Sequence, residues 1–148
     1  MFCKDIMKTD IECISPQTSI QAAAHKMREQ NVGFLPVCDL RMRVVGAVTD
    51  RDLVIRAVAG GLPSSTTVES LMTRQIIACR PEDNLGHARK LMGQHRKSRI
   101  LCINPNGRLE GVISLSDIAQ LDEMSAFDTL RQVSSREARA NLFVRKWE

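Results

Sequence analysis

Thr49 and Asp52 stand three residues apart directly after the apolar run Val44-Val45-Gly46-Ala47-Val48, and Ser114 and Asp117 stand in the same relation after Gly111-Val112-Ile113. An apolar run that stops at a hydroxyl residue with Asp three positions on predicts a strand-to-helix turn. The first backbone N–H groups of a helix lack partners within it, so such a turn favours a phosphate or another anion. A carboxylate one turn along can accept two hydrogen bonds from hydroxyl groups with charge-assisted strength. The same spacing is also a capping box, which needs no ligand and stabilises a helix by ~1 kcal/mol. On residue type alone both readings stay open. Recurrence at equivalent positions favours binding in at least one copy, with Thr49/Asp52 the stronger candidate.

The elements that must position these turns also recur. At an offset of 65, Met7 falls on Met72, Ile11 on Ile76, Pro16 on Pro81, Ala23 on Ala88, Met27 on Met92, Gly46 on Gly111 and Asp52 on Asp117. A fixed offset held across several elements marks a duplicated unit. In the first copy, Ile11–Ile14 reads as a short strand stopped by Pro16. Thr18 and Gln21 have capping-box spacing, and Ile20, Ala23, Ala24 and Met27 form a helical stripe that ends near Gln30-Asn31. Strands follow at Gly33–Cys38 and Val44–Val48, with Arg41-Met42-Arg43 at a turn. A helix then runs from Asp50 to Ala59 and stops at Gly60-Gly61. The second copy predicts a strand at Gln75–Cys79, Asp83 as helix cap and a helix over Leu85–His95. Strands at Arg99–Ile103 and Arg108–Ile113 are joined by Asn104-Pro105-Asn106-Gly107, and a last helix runs from Leu115 to about Glu123. The expected fold is α/β (α+β): two β-α-β-β-α copies packed with pseudo-twofold symmetry. Expected boundaries are 1–61 and 68–124 for the copies, 62–67 for the linker and 125–148 for a helical tail.

In that tail Phe127, Leu130, Val133 or Ser134 and Ala138, with Leu142 and Phe143 beyond, suggest an amphipathic helix that packs on the module or on a second subunit. From Thr129 to Trp147, Arg131, Arg136, Arg139, Arg145 and Lys146 are set against Glu137 alone, so the formal charge of +4 is concentrated there. A basic end can attract nucleic acid, but a solvated helix face is the commoner meaning. No apolar run approaches the roughly 20 residues of a membrane span, and the opening residues lack the order of a secretory signal, so a soluble cytoplasmic protein is expected. Cys3, Cys13, Cys38, Cys79 and Cys102 include no Cys-x-x-Cys pair and read as reduced core or near-core residues. His25, His87 and His95 offer no i, i+4 metal pair. No nucleophile–base arrangement can be built, so neither a metal site nor catalysis is expected.

The segments Asp5-Ile6-Met7, Gly33-Phe34-Leu35-Pro36-Val37 and Gly46-Ala47-Val48-Thr49-Asp50-Arg51-Asp52-Leu53, with Leu71-Met72-Thr73, Arg99-Ile100-Leu101 and Gly111-Val112-Ile113-Ser114-Leu115-Ser116-Asp117-Ile118 in the second copy, resemble the tandem CBS domain, or Bateman module. The resemblance covers roughly residues 1 to 122 and is closest to small stand-alone bacterial members. It departs from the family pattern at Ser98 and Leu101. It implies a non-catalytic sensor that binds an adenosine-containing ligand (AMP, ADP or ATP, with S-adenosylmethionine or NAD as further choices) in two clefts between the copies. No cofactor is required. By that analogy one cleft holds adenine against Ala47, Ile76 and Ile77, with Thr49, Asp52 for the ribose hydroxyls and Arg99 towards phosphate. The other uses Val112, Ser114 and Asp117 with Ile11, Glu12, Gly33, Phe34 and Arg51. A glycine before the strand would let a flat base approach. The resemblance also implies a homodimer and an effector protein that reads occupancy. The alternatives are a constitutive oligomeric scaffold with empty clefts, or a nucleic-acid-associated protein that uses the basic tail.

Overall fold

A computed structural model describes residues 1–140, and its elements follow the expected order with differences concentrated in the shortest ones. Helix α1 (Ile20–Gln30) buries Ile20, Ala23 and Met27, while Ala24 of the expected stripe is exposed. Its cap is Ser19, whose Oγ accepts from Ala22 N at 3.0 Å, and not Thr18, whose hydroxyl accepts from Ser15 N. Asn31 ends the helix in the left-handed region (φ 53°), a conformation that Asn tolerates well. Strands β1 (Phe34–Cys38) and β2 (Val44–Thr49) pair antiparallel with Phe34 opposite Thr49, so the hydroxyl at the end of β2 lies beside the start of β1.

The expected Ile11–Ile14 strand is reduced to a single parallel bridge between Ile14 and Val37. Likewise, Gln75–Cys79 contributes only β3 (Ala78–Cys79), paired parallel with β4 (Arg99–Ile103). Strand β5 (Leu109–Ser114) completes that sheet in the order β3-β4-β5. The expected helix at Asp50–Ala59 is one α-helical turn, α2 (Asp50–Asp52), followed by a π-helical stretch over Leu53–Val58. The wider ladder closes with Ala59 N donating to Val54 O at 2.9 Å, and it turns Ala57 inward while Val54, Ile55 and Val58 stay exposed. Gly61 then supplies the left-handed stop at φ 66°.

Helix α3 (Leu85–His95) is capped by Asn84, whose side-chain oxygen accepts from Gly86 N at 2.8 Å, and not by Asp83, which accepts from Arg80 N. The expected last helix is shorter, α4 (Leu115–Ala119), and the expected tail helix starts slightly earlier, as α5 (Glu123–Ala140). Helix α5 packs against α3 and α4, and of the expected stripe Val133 is buried but Phe127 and Leu130 are not. Ala126 and Thr129 are buried as well. At Gly93 an added Cβ would collide with the Gln132 side chain, so the glycine makes room for it. Leu142 and Phe143 lie outside the described residues. No helix of the described residues is long and apolar enough to cross a membrane.

Two units, each with its own core, make up the chain. One contains Asp10–Ile76 with Pro105–Leu109, and the other contains Met1–Thr9, Ile77–Asn104 and the chain from Glu110. The leading segment of each sequence copy therefore belongs to the unit built mainly from the other. Val68, Leu71 and Met72 sit in the core with Leu35, Val37 and Val48, and Cys3 sits in the core with Ile100, Cys102 and Ile113. The segment 62–67, expected as a linker, also bonds to the start of α1, with Ile20 N donating to Thr66 O at 2.8 Å.

Candidate functional site

Both strand-to-helix turns form as read, and both are complete capping boxes. In the first, Asp52 N donates to Thr49 Oγ1 at 3.1 Å and Thr49 N donates to Asp52 Oδ2 at 2.9 Å. In the second, Asp117 N donates to Ser114 Oγ at 3.2 Å, Ser114 N donates to Asp117 Oδ2 at 2.8 Å, and Ser114 Oγ reaches the same oxygen at 2.6 Å. One oxygen of each carboxylate is thus committed to the backbone. What the other oxygen can do depends on its neighbours.

The neighbours differ because residues 65 apart differ. Each leading segment bridges antiparallel to the strand that feeds a turn: Thr73 to Ala47, and Lys8 to Val112. The bonds are reciprocal, at 3.0 and 2.9 Å in the first case and at 2.9 and 3.0 Å in the second. At the second turn Lys8 Nζ reaches Asp117 Oδ1 at 2.9 Å, and the carboxylate is 8% exposed. Burial opposes ionisation of Asp117, but the Ser114 hydroxyl, the Lys8 ammonium and the Ser114 N–H outweigh it and hold the pKa below the ordinary carboxylate value. At the first turn the equivalent position is Thr73, which brings no charge. The ion-pair partner of Asp52 Oδ1 among the described residues is Arg56 Nε at 3.7 Å, one turn along the same helix, and Asp52 is half-buried. Asp52 is therefore oriented by its cap and keeps an oxygen available, while Asp117 is closed by its own ion pair. Lys8, Thr73 and Arg56 were missed as site residues. Aligning Lys8 with Thr73 and reading Arg56 at i+4 from Asp52 are the signals that mark them.

The remaining expected residues divide between the units. Ala47, Thr49, Asp52 and Ile76 share a unit with Ile11, Glu12, Gly33, Phe34 and Arg51, whereas Ile77, Arg99, Val112, Ser114 and Asp117 lie in the other. Ala47 and Val112 are buried, at 7% and 8% exposure, and offer little surface to a base. Ile11, Ile76 and Ile77 are half-buried, Arg51 and Arg99 are exposed, and the Glu12 carboxylate is ion-paired with Lys26. The glycines inside the feeding strands serve packing and not a flat base. A Cβ on Gly46 would lie 2.9 Å from Met72 Sδ, and one on Gly111 would lie 2.7 Å from Met7 Cγ. Gly33 instead faces the Asp50 carboxylate and accepts from Asp50 N through its carbonyl at 2.9 Å.

The two turns lie in stretches that both match one family model, described as the CBS domain, over residues 3–58 and 68–123. The chain belongs to the CBS-domain family. Among curated relatives, the CBS domain-containing protein YhcV of Bacillus subtilis is 35% identical over 133 residues, spanning 88% of this chain and 94% of YhcV. Among solved structures, Hypoxic Response Protein I with two coordinated zinc ions is 31% identical with a TM-score of 0.75, covering 82% of this chain and 99% of that one. The CBS domain pair of protein MJ0100, solved with 5′-methylthioadenosine and S-adenosyl-L-methionine, is 26% identical with a TM-score of 0.74 over 82% of this chain and 94% of that one. The CBS pair thus has relatives that bind adenosine ligands. Among the described residues of this chain, no group of three or more His, Cys, Asp or Glu is disposed to hold a metal ion.

Proposed function

We propose that this CBS pair is a non-catalytic regulatory module of the cytoplasm that binds an adenosine-containing ligand at the Thr49/Asp52 turn. The observation that carries the reading is the oriented Asp52 carboxylate, whose Oδ1 has, among the described residues, Arg56 at 3.7 Å as its ion-pair partner. A ribose diol would donate to it, Thr49 would hydrogen-bond nearby, and the half-buried Ile76 of the same unit would offer an apolar contact to the base. Ser114 and Asp117 are a second and weaker candidate, because a ligand there must compete with Lys8. AMP, ADP and ATP are the first ligands to test, with S-adenosylmethionine and NAD beside them. Occupancy would reach an effector protein only if the ligand prefers one of two arrangements of the module.

The test is thermal melting against that panel. A ligand at about 100 times its dissociation constant stabilises by about 2.7 kcal/mol. We expect a shift with at least one adenosine ligand, reduced tenfold or more in apparent affinity by Asp52→Ala, and a smaller effect of Asp117→Ala. No shift with any member of the panel would reject the reading. It would instead favour an oligomeric scaffold, for which the exposed Val54, Ile55, Val58, Phe127 and Leu130 offer apolar contact surface.

A further inference from the structure

Three of the five cysteines meet inside the unit that contains the Met1–Thr9 segment. Cys79 Sγ lies 3.7 Å from Cys3 Sγ and 3.6 Å from Cys102 Sγ, and all three residues are buried. They come from different elements: Cys3 from a 3-10 turn over Cys3–Asp5, Cys79 from β3 and Cys102 from β4. Small hydrophobic packing accounts for burial. It does not account for three sulfur atoms in mutual contact, where any apolar side chain would fill the space.

The Cys79–Cys102 and Cys3–Cys79 contacts are not equivalent. Cys79 and Cys102 are register partners on adjacent parallel strands, so their spacing is set by the ladder at about 4.8 Å. Both are fixed in that ladder, whereas Cys3 lies outside it. Cys3 is held differently. Its segment joins the unit through backbone bonds such as Cys3 N to Asp83 O at 2.9 Å and Lys4 N to Pro81 O at 2.8 Å, while Met1 and Phe2 beside it are exposed. The segment is held by isolated bridges at Phe2 and Lys8 and by the Lys8–Asp117 ion pair, not by a continuous ladder, so it opens more readily than a strand within a sheet. When it opens, Cys3 and Cys79 become accessible together. The Cys102 and Cys79 thiols also hydrogen-bond to the Cys3 sulfur and lower its pKa against burial, while Cys102, Cys3 and burial raise that of Cys79. Cys3, carried on the segment that opens, is the thiol that meets the peroxide, and Cys79, fixed in β3, is the resolving thiol.

We infer that Cys3 and Cys79 form a peroxide-sensitive thiol pair that closes to a disulfide and fastens the Met1–Thr9 segment to β3. The Cys3 thiolate attacks one oxygen of a hydroperoxide, the O–O bond breaks, and Cys3 becomes a sulfenic acid as the departing oxygen takes a proton. Cys79 sulfur then attacks Cys3 sulfur, the S–O bond breaks, and water leaves with the Cys79 proton. Two thiols have lost two electrons to one peroxide, and a dithiol reductant reverses the change.

The experiment treats the full native chain with a small excess of hydrogen peroxide, blocks remaining thiols under native conditions, and maps peptides without reductant. The expected result is one cross-link between the Cys3 and Cys79 peptides, with a mass lower by two hydrogens. The oxidised chain should also melt higher, and dithiothreitol should restore the original value. Cys3→Ala and Cys79→Ala, each checked for native circular dichroism, should abolish the link, and Cys102→Ala should retain it; if one of the first pair fails to fold, the other carries the test. The inference is overturned if the thiols stay reduced in the folded chain, if Cys3 stops at its oxyacids, or if the link joins Cys79 to Cys102 and survives Cys3→Ala.

Discussion

A duplicated carboxylate stands in two different settings because residues 65 positions apart differ in type. Lys8 puts an ammonium 2.9 Å from Asp117 Oδ1, and Thr73 puts an uncharged side chain at the equivalent place near Asp52. Asp117 is accordingly a stabilising group with a measurable signature. Its folded pKa lies below its ordinary value, so it contributes stability that is fully present above the unfolded-state value of about 3.9 and is lost as pH falls through the folded value. Urea midpoints measured from about pH 5 to about pH 2 should therefore fall more steeply for the native sequence than for Asp117→Asn. Parallel curves would mean that the carboxylate is not held as described.

Helix α5 shows how far an element can be read from its residues. Its existence follows from apolar spacing, but the face it buries was misassigned to the bulky Phe127 and Leu130. The buried stripe is Ala126, Thr129 and Val133, and Thr129 can be buried because its Oγ1 donates to Ser125 O at 2.9 Å. Val133→Asp should cost about 3 kcal/mol in urea denaturation, whereas Phe127→Ser should leave the midpoint of the monomer nearly unchanged. Equal effects would restore the original stripe. The strands over 34–38, 44–49 and 99–103 were legible because each is an apolar run with turn residues on both sides. Ile11–Ile14 was overread because one parallel bridge leaves no alternating pattern behind it. The choice of Ser19 over Thr18, or of Asn84 over Asp83, was illegible since two adjacent residues could each cap. The paired turns were visible in the offset of 65, which also aligned Met7 with Met72 and Gly46 with Gly111 without revealing that Met72 packs on Gly46 and Met7 on Gly111.

At the scale of the whole molecule, sequence copies and folded units have different boundaries. The Asp10–Ile76 unit needs Val68, Leu71 and Met72, which a cut at the end of the first copy removes. A fragment spanning 10–76 should melt cooperatively by circular dichroism, and one spanning 10–67 should show no transition. Cooperative melting of the shorter piece would mean that these three residues are dispensable. The same arrangement bears on how the protein behaves when concentrated. A slot that accepts a segment from elsewhere along its own chain accepts the identical segment from a neighbouring chain equally well, since the contacts are the same. Refolding at high concentration is therefore expected to give some dimer by exchange of the Met1–Thr9 segment, and size-exclusion chromatography after refolding at low and high concentration checks it.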